Sequence, residues 1–299
     1  MQTTKYIWKN GKLISWEEAS THLLTHTLHY GGGAFEGIRA YKTERGTAIF
    51  RLREHMERFA YSASALNMEM PFTTQALIDA VVQTVRENKL EQGYIRPLVY
   101  YGYGVMGLKP FGAPVDIIVA CWPWGAYLSH DLIDVKISKY IRIHEKSTIV
   151  DAKLCGHYVN SMLASLELKG TKYHEALLLD AQGRIAEGPG ENFFMVQGGK
   201  ILTPKPGTIL PGITRNTVFQ IAQKLGIQVI EQDIYPKDLA SADEAFFTGT
   251  AAEVVPIGTI DDKPIGAGKV GPIASKIKST YLDIVYGRNR EFERFLHYV

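Results

Sequence analysis

The sequence predicts a mixed α/β (α+β) chain of two domains, and three observations predict it. Strand-like and helix-like runs alternate through the first 122 residues. Gln182-Gly183 and Gly198-Gly199 separate strand-like runs further on, a spacing that favours antiparallel hairpins over a doubly wound parallel sheet. Between these regions a β-like run meets proline and glycine at Trp122-Pro123-Trp124-Gly125-Ala126-Tyr127-Leu128, which places an interdomain connection there.

Before the connection, Tyr6 to Trp8, Gly37 to Tyr41, Ala48 to Leu52, Tyr94 to Gly102 and Val115 to Trp122 read as strands. Arg53 to Leu66 and Thr74 to Asn88 read as helices, with Thr73 or Thr74 able to cap the second. After it, Val159, Met162, Leu163 and Leu166 recur at i, i+3, i+4 and i+7, and Gly170 follows as a terminator, so an amphipathic helix starts just past Lys153. Val218, Ile221, Ala222 and Leu225 repeat the pattern, opened by Leu210-Pro211-Gly212-Ile213-Thr214 and closed by Gly226. Ala176 to Leu179, Asn192 to Val196 and Lys200 to Thr203 read as strands.

At 299 residues a fold can bury roughly three quarters of its unfolded surface, so a large core is available. A formal charge of +2 gives no electrostatic reason for a nucleic-acid or acidic-membrane partner. Two cysteines, Cys121 and Cys155, leave no room for a disulfide framework, and the N-terminus lacks the apolar run of a secretion signal, so a cytoplasmic setting is expected. The most apolar stretch, Val115 to Leu128, is broken by Asp116, Pro123 and Gly125 and cannot be a membrane span.

Three motifs carry less than they suggest. Gly102-Tyr103-Gly104-Val105-Met106-Gly107 matches the dinucleotide fingerprint, but Leu108-Lys109-Pro110-Phe111-Gly112 follows where a helix must begin to face a pyrophosphate. His22, His26 and His29 have helical spacing for zinc, yet lack the protease glutamate and a fourth ligand, so no metal is expected. Gly31-Gly32-Gly33 has no following Gly-Lys-Ser/Thr, and close backbone approach is the better reading.

Asp151-Ala152-Lys153-Leu154-Cys155-Gly156-His157-Tyr158 and Glu187-Gly188-Pro189-Gly190-Glu191-Asn192-Phe193-Phe194 supply a different pair. A lysine able to form a Schiff base and a carboxylate able to hold a pyridine nitrogen protonated are what pyridoxal 5'-phosphate chemistry needs. Gly212-Ile213-Thr214 at a helix start offers outward N–H groups, partial positive charge and a hydroxyl to a phosphate. Each feature alone has a blander reading: a surface lysine, a loop carboxylate, an ordinary helix start.

Taken in order along the chain, the motifs resemble the branched-chain amino acid aminotransferases of the class IV (fold-type IV) pyridoxal phosphate enzymes. The resemblance runs from Tyr6-Ile7-Trp8-Lys9-Asn10-Gly11 through Phe35-Glu36-Gly37-Ile38-Arg39, Phe50 to Met56, Tyr94-Ile95-Arg96-Pro97 and Pro123 to Tyr127, then through the lysine and glutamate segments to Leu210 to Arg215 and Gly249-Thr250-Ala251-Ala252-Glu253. It implies a small N-terminal α/β domain (1–123), an interdomain loop (124–134) and a larger C-terminal cofactor-binding domain (135–299) built on a pseudo-barrel of mostly antiparallel strands with helices. Lys153 would carry the cofactor aldehyde and then move the substrate proton, and Glu187 would pair with the ring nitrogen. Tyr158 would bond the cofactor phenolate oxygen, and Arg58, Ile213, Thr214 and Thr250 would bind its phosphate.

The implied reaction is ping-pong transfer of the amino group between L-leucine, L-isoleucine or L-valine and 2-oxoglutarate, giving branched-chain 2-oxo acids and L-glutamate. One pocket must then admit both leucine-like and acidic side chains. By the resemblance, Tyr30, Phe35, Trp124 and Tyr127 build an apolar box, Tyr94 with Thr250 and Ala251 holds the α-carboxylate, and Arg96 meets the distal carboxylate of glutamate. Gly37 is a pocket position where a side chain would intrude, and Arg39 is assigned a supporting role. Met106 and Leu108 sit in a loop that reaches a neighbouring subunit's site, which implies a homo-oligomer, a dimer or a trimer of dimers. A D-amino acid transaminase or an aminodeoxychorismate lyase of the same fold type is the alternative. Leu154-Cys155-Gly156-His157 departs from the family's usual small residues and asparagine, which opens a wider substrate range and an oxidation-sensitive Cys155 as hypotheses.

Overall fold

The computed structural model describes residues 2–125 and 130–299. Tyr127 therefore lies outside the described residues. In chain order the elements are β1 (Tyr6–Lys9), β2 (Lys12–Ser15), α1 (His26–Tyr30), β3 (Gly33–Phe35), β4 (Ile38–Thr43), β5 (Gly46–Phe50), α2 (Leu52–Ser64), α3 (Thr74–Glu87), β6 (Gly93–Tyr101), β7 (Val115–Trp122) and β8 (Ile133–Ile141). There follow α4 (Tyr158–Leu166), β9 (Glu175–Leu179), β10 (Ile185–Glu187), β11 (Asn192–Gln197), β12 (Lys200–Pro204), α5 (Ile213–Lys224), β13 (Val229–Gln232), β14 (Glu244–Gly249), β15 (Glu253–Ile260), β16 (Lys263–Pro264), α6 (Pro272–Val285) and β17 (Leu296–Tyr298).

The chain divides into two compact units, residues 1–125 with 152–156 and 284–299, and residues 126–151 with 157–283. The first unit gathers two segments from further along the chain, and hydrogen bonding explains both. Lys153 and Leu154 join the first unit because Phe35 N donates to Lys153 O and Leu154 bridges Ala34. The C-terminal strand β17 joins it by pairing antiparallel with β5. β8 begins at Ile133.

The first unit carries a sheet in the order β17-β5-β4-β6-β7-β1-β2, with β3 on β6. Its central pair, β6 and β7, keeps register from Tyr94↔Trp122 to Tyr101↔Val115. Ile95, Val99, Ile117, Val119 and Cys121 from these strands share one buried cluster with Met56 and Phe59 of α2 and Leu77 and Val81 of α3. Period-2 apolar positions on the strands thus meet period-3.6 positions on the helices, as the sequence pattern requires. Thr73 caps α3 by accepting from Ala76 N.

The second unit carries the order β10-β9-β8-β15-β14-β11-β12-β13, and β10 also pairs with β11. That extra pairing closes β10-β9-β8-β15-β14-β11 into a ring, the expected pseudo-barrel. Four of its six pairings are antiparallel, while β8–β9 and β8–β15 are parallel. Ile133, Val135, Leu177, Ile185, Phe193, Met195, Phe247 and Ile257 fill one cluster at alternate strand positions. On the other face Ala176 and Leu178 pack against Ala164 of α4. That last contact reverses an expectation: the stripe Val159, Met162, Leu163 and Leu166 is exposed, and α4 buries its small residues Ser161 and Ala164 instead. Among the described residues no helix is long and apolar enough to cross a membrane.

Candidate active site

In the first unit the lysine is held by its backbone. Lys153 N donates to the buried Ser62 Oγ at 2.9 Å, its carbonyl accepts from Phe35 N at 3.1 Å, and its Nζ lies 5.1 Å from the centre of the Phe35 ring. The residue after Phe35, Glu36, is buried completely and takes Arg58 on both oxygens, Nε at 2.7 Å and the terminal Nη2 at 2.9 Å, with His55 Nδ1 at 2.7 Å. Burial alone would raise the Glu36 pKa, but Arg58 and then His55 outweigh it and hold the carboxyl far below the usual range. Burial pushes His55 the other way from its partner's pull, downward, so the ring is neutral at pH 7.

The predicted recognition residues Phe35, Gly37, Tyr94, Arg96 and Trp124 come together on β3, the following turn, β6 and the strand end after β7. The Arg96 guanidinium sits 4.7 Å from the Phe35 ring and 5.3 Å from the Tyr94 ring and donates to Tyr94 Oη at 3.3 Å. Its Nε is buried with no hydrogen-bond partner among the described residues. A buried orphan donor of this kind is an invitation to an acceptor. Trp124 stands edge-on to Tyr94 at 4.5 Å. Gly37 is required sterically, since a Cβ there would lie 1.9 Å from Tyr94 Oη. Arg39 donates to Gly125 O, bracing the chain next to Trp124, in keeping with a supporting role.

In the second unit Glu187 ends β10 at the seam that closes the ring, opposite Asn192. It is buried and accepts from Arg142 Nε at 2.6 Å, Asn192 Nδ2 at 3.0 Å and Leu210 N at 3.1 Å. Three donors, one of them cationic, fit a carboxylate and orient it. Asn192 also donates to Leu210 O at 2.9 Å, so it ties the carboxylate strand to the loop that starts α5. The cap of α5 is Gly212, which brings no side chain to the first-turn amides of Ile213 and Thr214. Glycine is obligatory there, as a Cβ would lie 1.9 Å from Asn192 Oδ1. Thr250 and Ala251 form the turn between β14 and β15, and Tyr158 is the first residue of α4. Within the second unit, a helix start without a side-chain cap and an anchored anionic acceptor are groups that a phosphorylated pyridine requires, and the residues present there fit it; the first unit's backbone-held Lys153 is the kind of amine that its aldehyde requires.

Other predicted positions lie apart from these groups. Tyr30 and Leu108 line a separate depression of about 970 Å³ with Pro110 and Phe111, and Met106 and Leu108 are exposed. The histidines brace loops: His22 lies against Tyr103 with the rings tilted at 37°, while His26 Nε2 and His29 Nε2 bond the carbonyls of Gly107 and Leu23. Only His26 and His29 are on α1, and the next element after Gly102 is the strand β7. Gly31 has φ +67° and a Cβ there would meet Gly156 Cα at 3.0 Å, the close approach anticipated for the triple glycine. Burial pushes the Cys155 thiol up to about 11, which opposes ready oxidation. Sequence reasoning missed Arg142, Asn192, Ser62 and His55. Asn192 and His55 stood inside quoted motifs, but nothing local marks which strand Arg142 faces.

The model of the class IV amino-transferases matches residues 33–260. The chain is 46% identical over 286 residues to a branched-chain-amino-acid aminotransferase of Pseudomonas aeruginosa, covering 94% of this chain and 93% of that one. It superimposes with a TM-score of 0.97 on a branched-chain amino acid aminotransferase from T.th. complexed with N-(5'-phosphopyridoxyl)-L-glutamate, at 44% identity over 100% of this chain and 99% of that one. The same enzyme complexed with 4-methylvaleric acid matches with a TM-score of 0.95 at 43% identity, with the same coverage.

Proposed function

The chain belongs to the class IV aminotransferases, and within them to the branched-chain amino acid aminotransferases; from that premise we propose that it moves the amino group between L-leucine, L-isoleucine or L-valine and 2-oxoglutarate, using pyridoxal 5'-phosphate. When bound, the cofactor supplies an aldehyde that bonds amines and a ring that accepts an electron pair. Lys153 would hold the aldehyde and, once displaced by a substrate amine, carry the proton between the substrate Cα and the cofactor C4′ with its Nζ. Glu187 would accept from the ring N–H, aimed by its bonds from Arg142, Asn192 and Leu210 N. Tyr158 would donate to the phenolate oxygen, and Arg58, Ile213, Thr214 and Thr250 would hold the phosphate.

The observation that carries the substrate reading is the orphan Nε of Arg96 beside the Phe35 and Tyr94 rings. A cation flanked by aromatic faces offers a leucine-like side chain an apolar wall and a glutamate side chain an acceptor-seeking donor. Tyr94 with Thr250 and Ala251 would take the α-carboxylate, and Trp124 and Tyr127 would complete the box, whereas Tyr30 lines the separate depression and is left out of it. Homo-oligomer formation is part of the proposal, supported by Leu108 and Phe111, exposed by 85% and 81%, and by the exposed face of α4. So is a cytoplasmic location, supported by two cysteines that are both free.

Single-turnover half-reactions test the reading. L-leucine and L-glutamate should both discharge the absorbance of the lysine-bound cofactor, and D-alanine should not. Discharge by D-alanine alone would indicate a D-amino acid transaminase, and pyruvate release from aminodeoxychorismate would indicate the lyase.

A further inference from the structure

We propose that Glu36 is a positioning residue for phosphate recognition, a buried carboxylate that grips Arg58 through two nitrogens and so fixes the direction in which its guanidinium points. The inference rests on the reading of Arg58 as a phosphate ligand. Glu36 Oε1 takes Arg58 Nε, and Oε2 takes Arg58 Nη2, His55 Nδ1 and, at 3.3 Å, Gly37 N. Four donors from three residues thus converge on it, one on Oε1 and three on Oε2, and they hold it against turning. His55 is neutral and Glu36 can only accept, which assigns the imidazole proton to Nδ1. The bond to Gly37 N links this cluster to the glycine on which Tyr94 Oη packs.

A buried ion pair is weak evidence of stabilisation, so its presence beside a ligand-binding arginine needs another reason. With His55 neutral, Glu36 and Arg58 cancel in charge, and the cluster offers a phosphate no excess positive field. What it does offer is direction: a planar fork already held in one orientation loses less freedom when it bonds a second anion. Two hypotheses then give opposite signs. If Glu36 acts by holding Arg58, removing its charge weakens phosphate binding. If it merely neutralises Arg58, removing its charge strengthens it.

The test titrates the apoenzyme with pyridoxal 5'-phosphate and with pyridoxal, which lacks the phosphate, following tryptophan fluorescence in wild type, Glu36→Gln, Glu36→Asp, Arg58→Ala and Glu36→Gln/Arg58→Ala. Glu36→Gln should raise the Kd for pyridoxal 5'-phosphate by about tenfold, the worth of one charge-assisted hydrogen bond, and leave pyridoxal within about twofold. Glu36→Asp, which keeps the charge and shortens the reach, should show a smaller loss in the same ratio and serves if the glutamine variant does not fold. In the Arg58→Ala background Glu36→Gln should leave the ratio unchanged. Tighter binding of pyridoxal 5'-phosphate by Glu36→Gln, or equal loss for both ligands, overturns the proposal. A wild-type ratio in Arg58→Ala removes instead the phosphate reading of Arg58.

Discussion

Replacing Gly37 by alanine puts one methyl group where the substrate site has no room for it. The added Cβ would stand 1.9 Å from Tyr94 Oη and 2.8 Å from Cζ. The hydroxyl must therefore retreat by roughly 1.5 Å to regain van der Waals separation. It has nowhere soft to go: Tyr94 is 6% exposed, with Trp124 edge-on at 4.5 Å and Trp122 tilted at 5.3 Å. Overpacking of this kind costs about 1–3 kcal/mol. If the strain is relieved by moving Tyr94, the 3.3 Å bond from Arg96 breaks and the proposed α-carboxylate donor is misplaced. The kcat/KM for L-leucine and L-glutamate should then fall together, by about 10-fold to 100-fold. A double-mutant cycle with Tyr94→Phe locates the cause. Removing the hydroxyl removes the worst contact but leaves Cζ too close, so Gly37→Ala should lower Tm in the Tyr94→Phe background by less than in wild type, though still measurably. Wild-type kcat/KM in Gly37→Ala, or strict additivity in the cycle, refutes the reasoning.

Further outcomes follow from the other groups. Lys153→Ala should lose the mass added by borohydride reduction of the holoenzyme; retention of that mass assigns the bond to another lysine. Glu187→Gln should slow the half-reaction with L-leucine by about 100-fold, the order seen when one fixed electrostatic partner is removed. It should also lower the unfolding free energy by about 3 kcal/mol, because Arg142 is left buried without its counter-charge; denaturant titration reads the second effect, and an unchanged midpoint contradicts it. Burial raises Glu175 to about 7 from 4.5, so the native state keeps a proton that the unfolded chain releases as pH rises from 4.5 to 7. Ionised at higher pH, that residue opposes folding by up to about 3 kcal/mol. Glu175→Gln should therefore raise Tm at pH 8 and not at pH 4.5, and equal shifts at both would show that desolvation is not the cause. His55 runs the opposite way, since burial lowers its folded pKa. Below about pH 6.5 the unfolded chain binds a proton that the native ring refuses, so stability should fall there, and His55→Gln should flatten that limb of the pH profile.

Much of the fold was legible because its signals are local. The apolar, β-branched run of Val115 to Trp122 and the glycines at 183 and 198–199 are short-range features, and strands and turns stand where they point. The ring closure was not legible in this way, since it depends on Glu187 meeting Asn192 and on parallel pairing of β8 with two strands distant in sequence. Periodicity marked α4 but misjudged its face. A stripe of Val159, Met162 and Leu166 signals a surface to be covered, and in one chain Ala164 and Ser161 are what it covers. Lys153, Glu187 and Thr214 could be picked out by residue type and spacing. Arg142, 45 positions from its partner, could not, because its role is set by which strands lie side by side.

Two buried carboxylate–guanidinium pairs divide the proposed work in opposite senses, and this bears on how substitutions should be read. In Glu36–Arg58 the arginine would be the working end and the carboxylate its holder; in Arg142–Glu187 the carboxylate would work and the arginine hold. Neither pair is expected to add much stability over an apolar replacement of equal volume, yet removing one partner strands a charge. Loss of stability is thus common to all four single variants and distinguishes nothing. The discriminating quantity is which reaction property moves. Variants of Arg58 and Glu36 should shift the preference for pyridoxal 5'-phosphate over pyridoxal and leave the proton-transfer rate of the reloaded enzyme near wild type. Variants of Glu187 and Arg142 should slow proton transfer and leave that preference alone. A variant in either pair that moves both quantities in proportion would place the pair in the scaffold rather than the site.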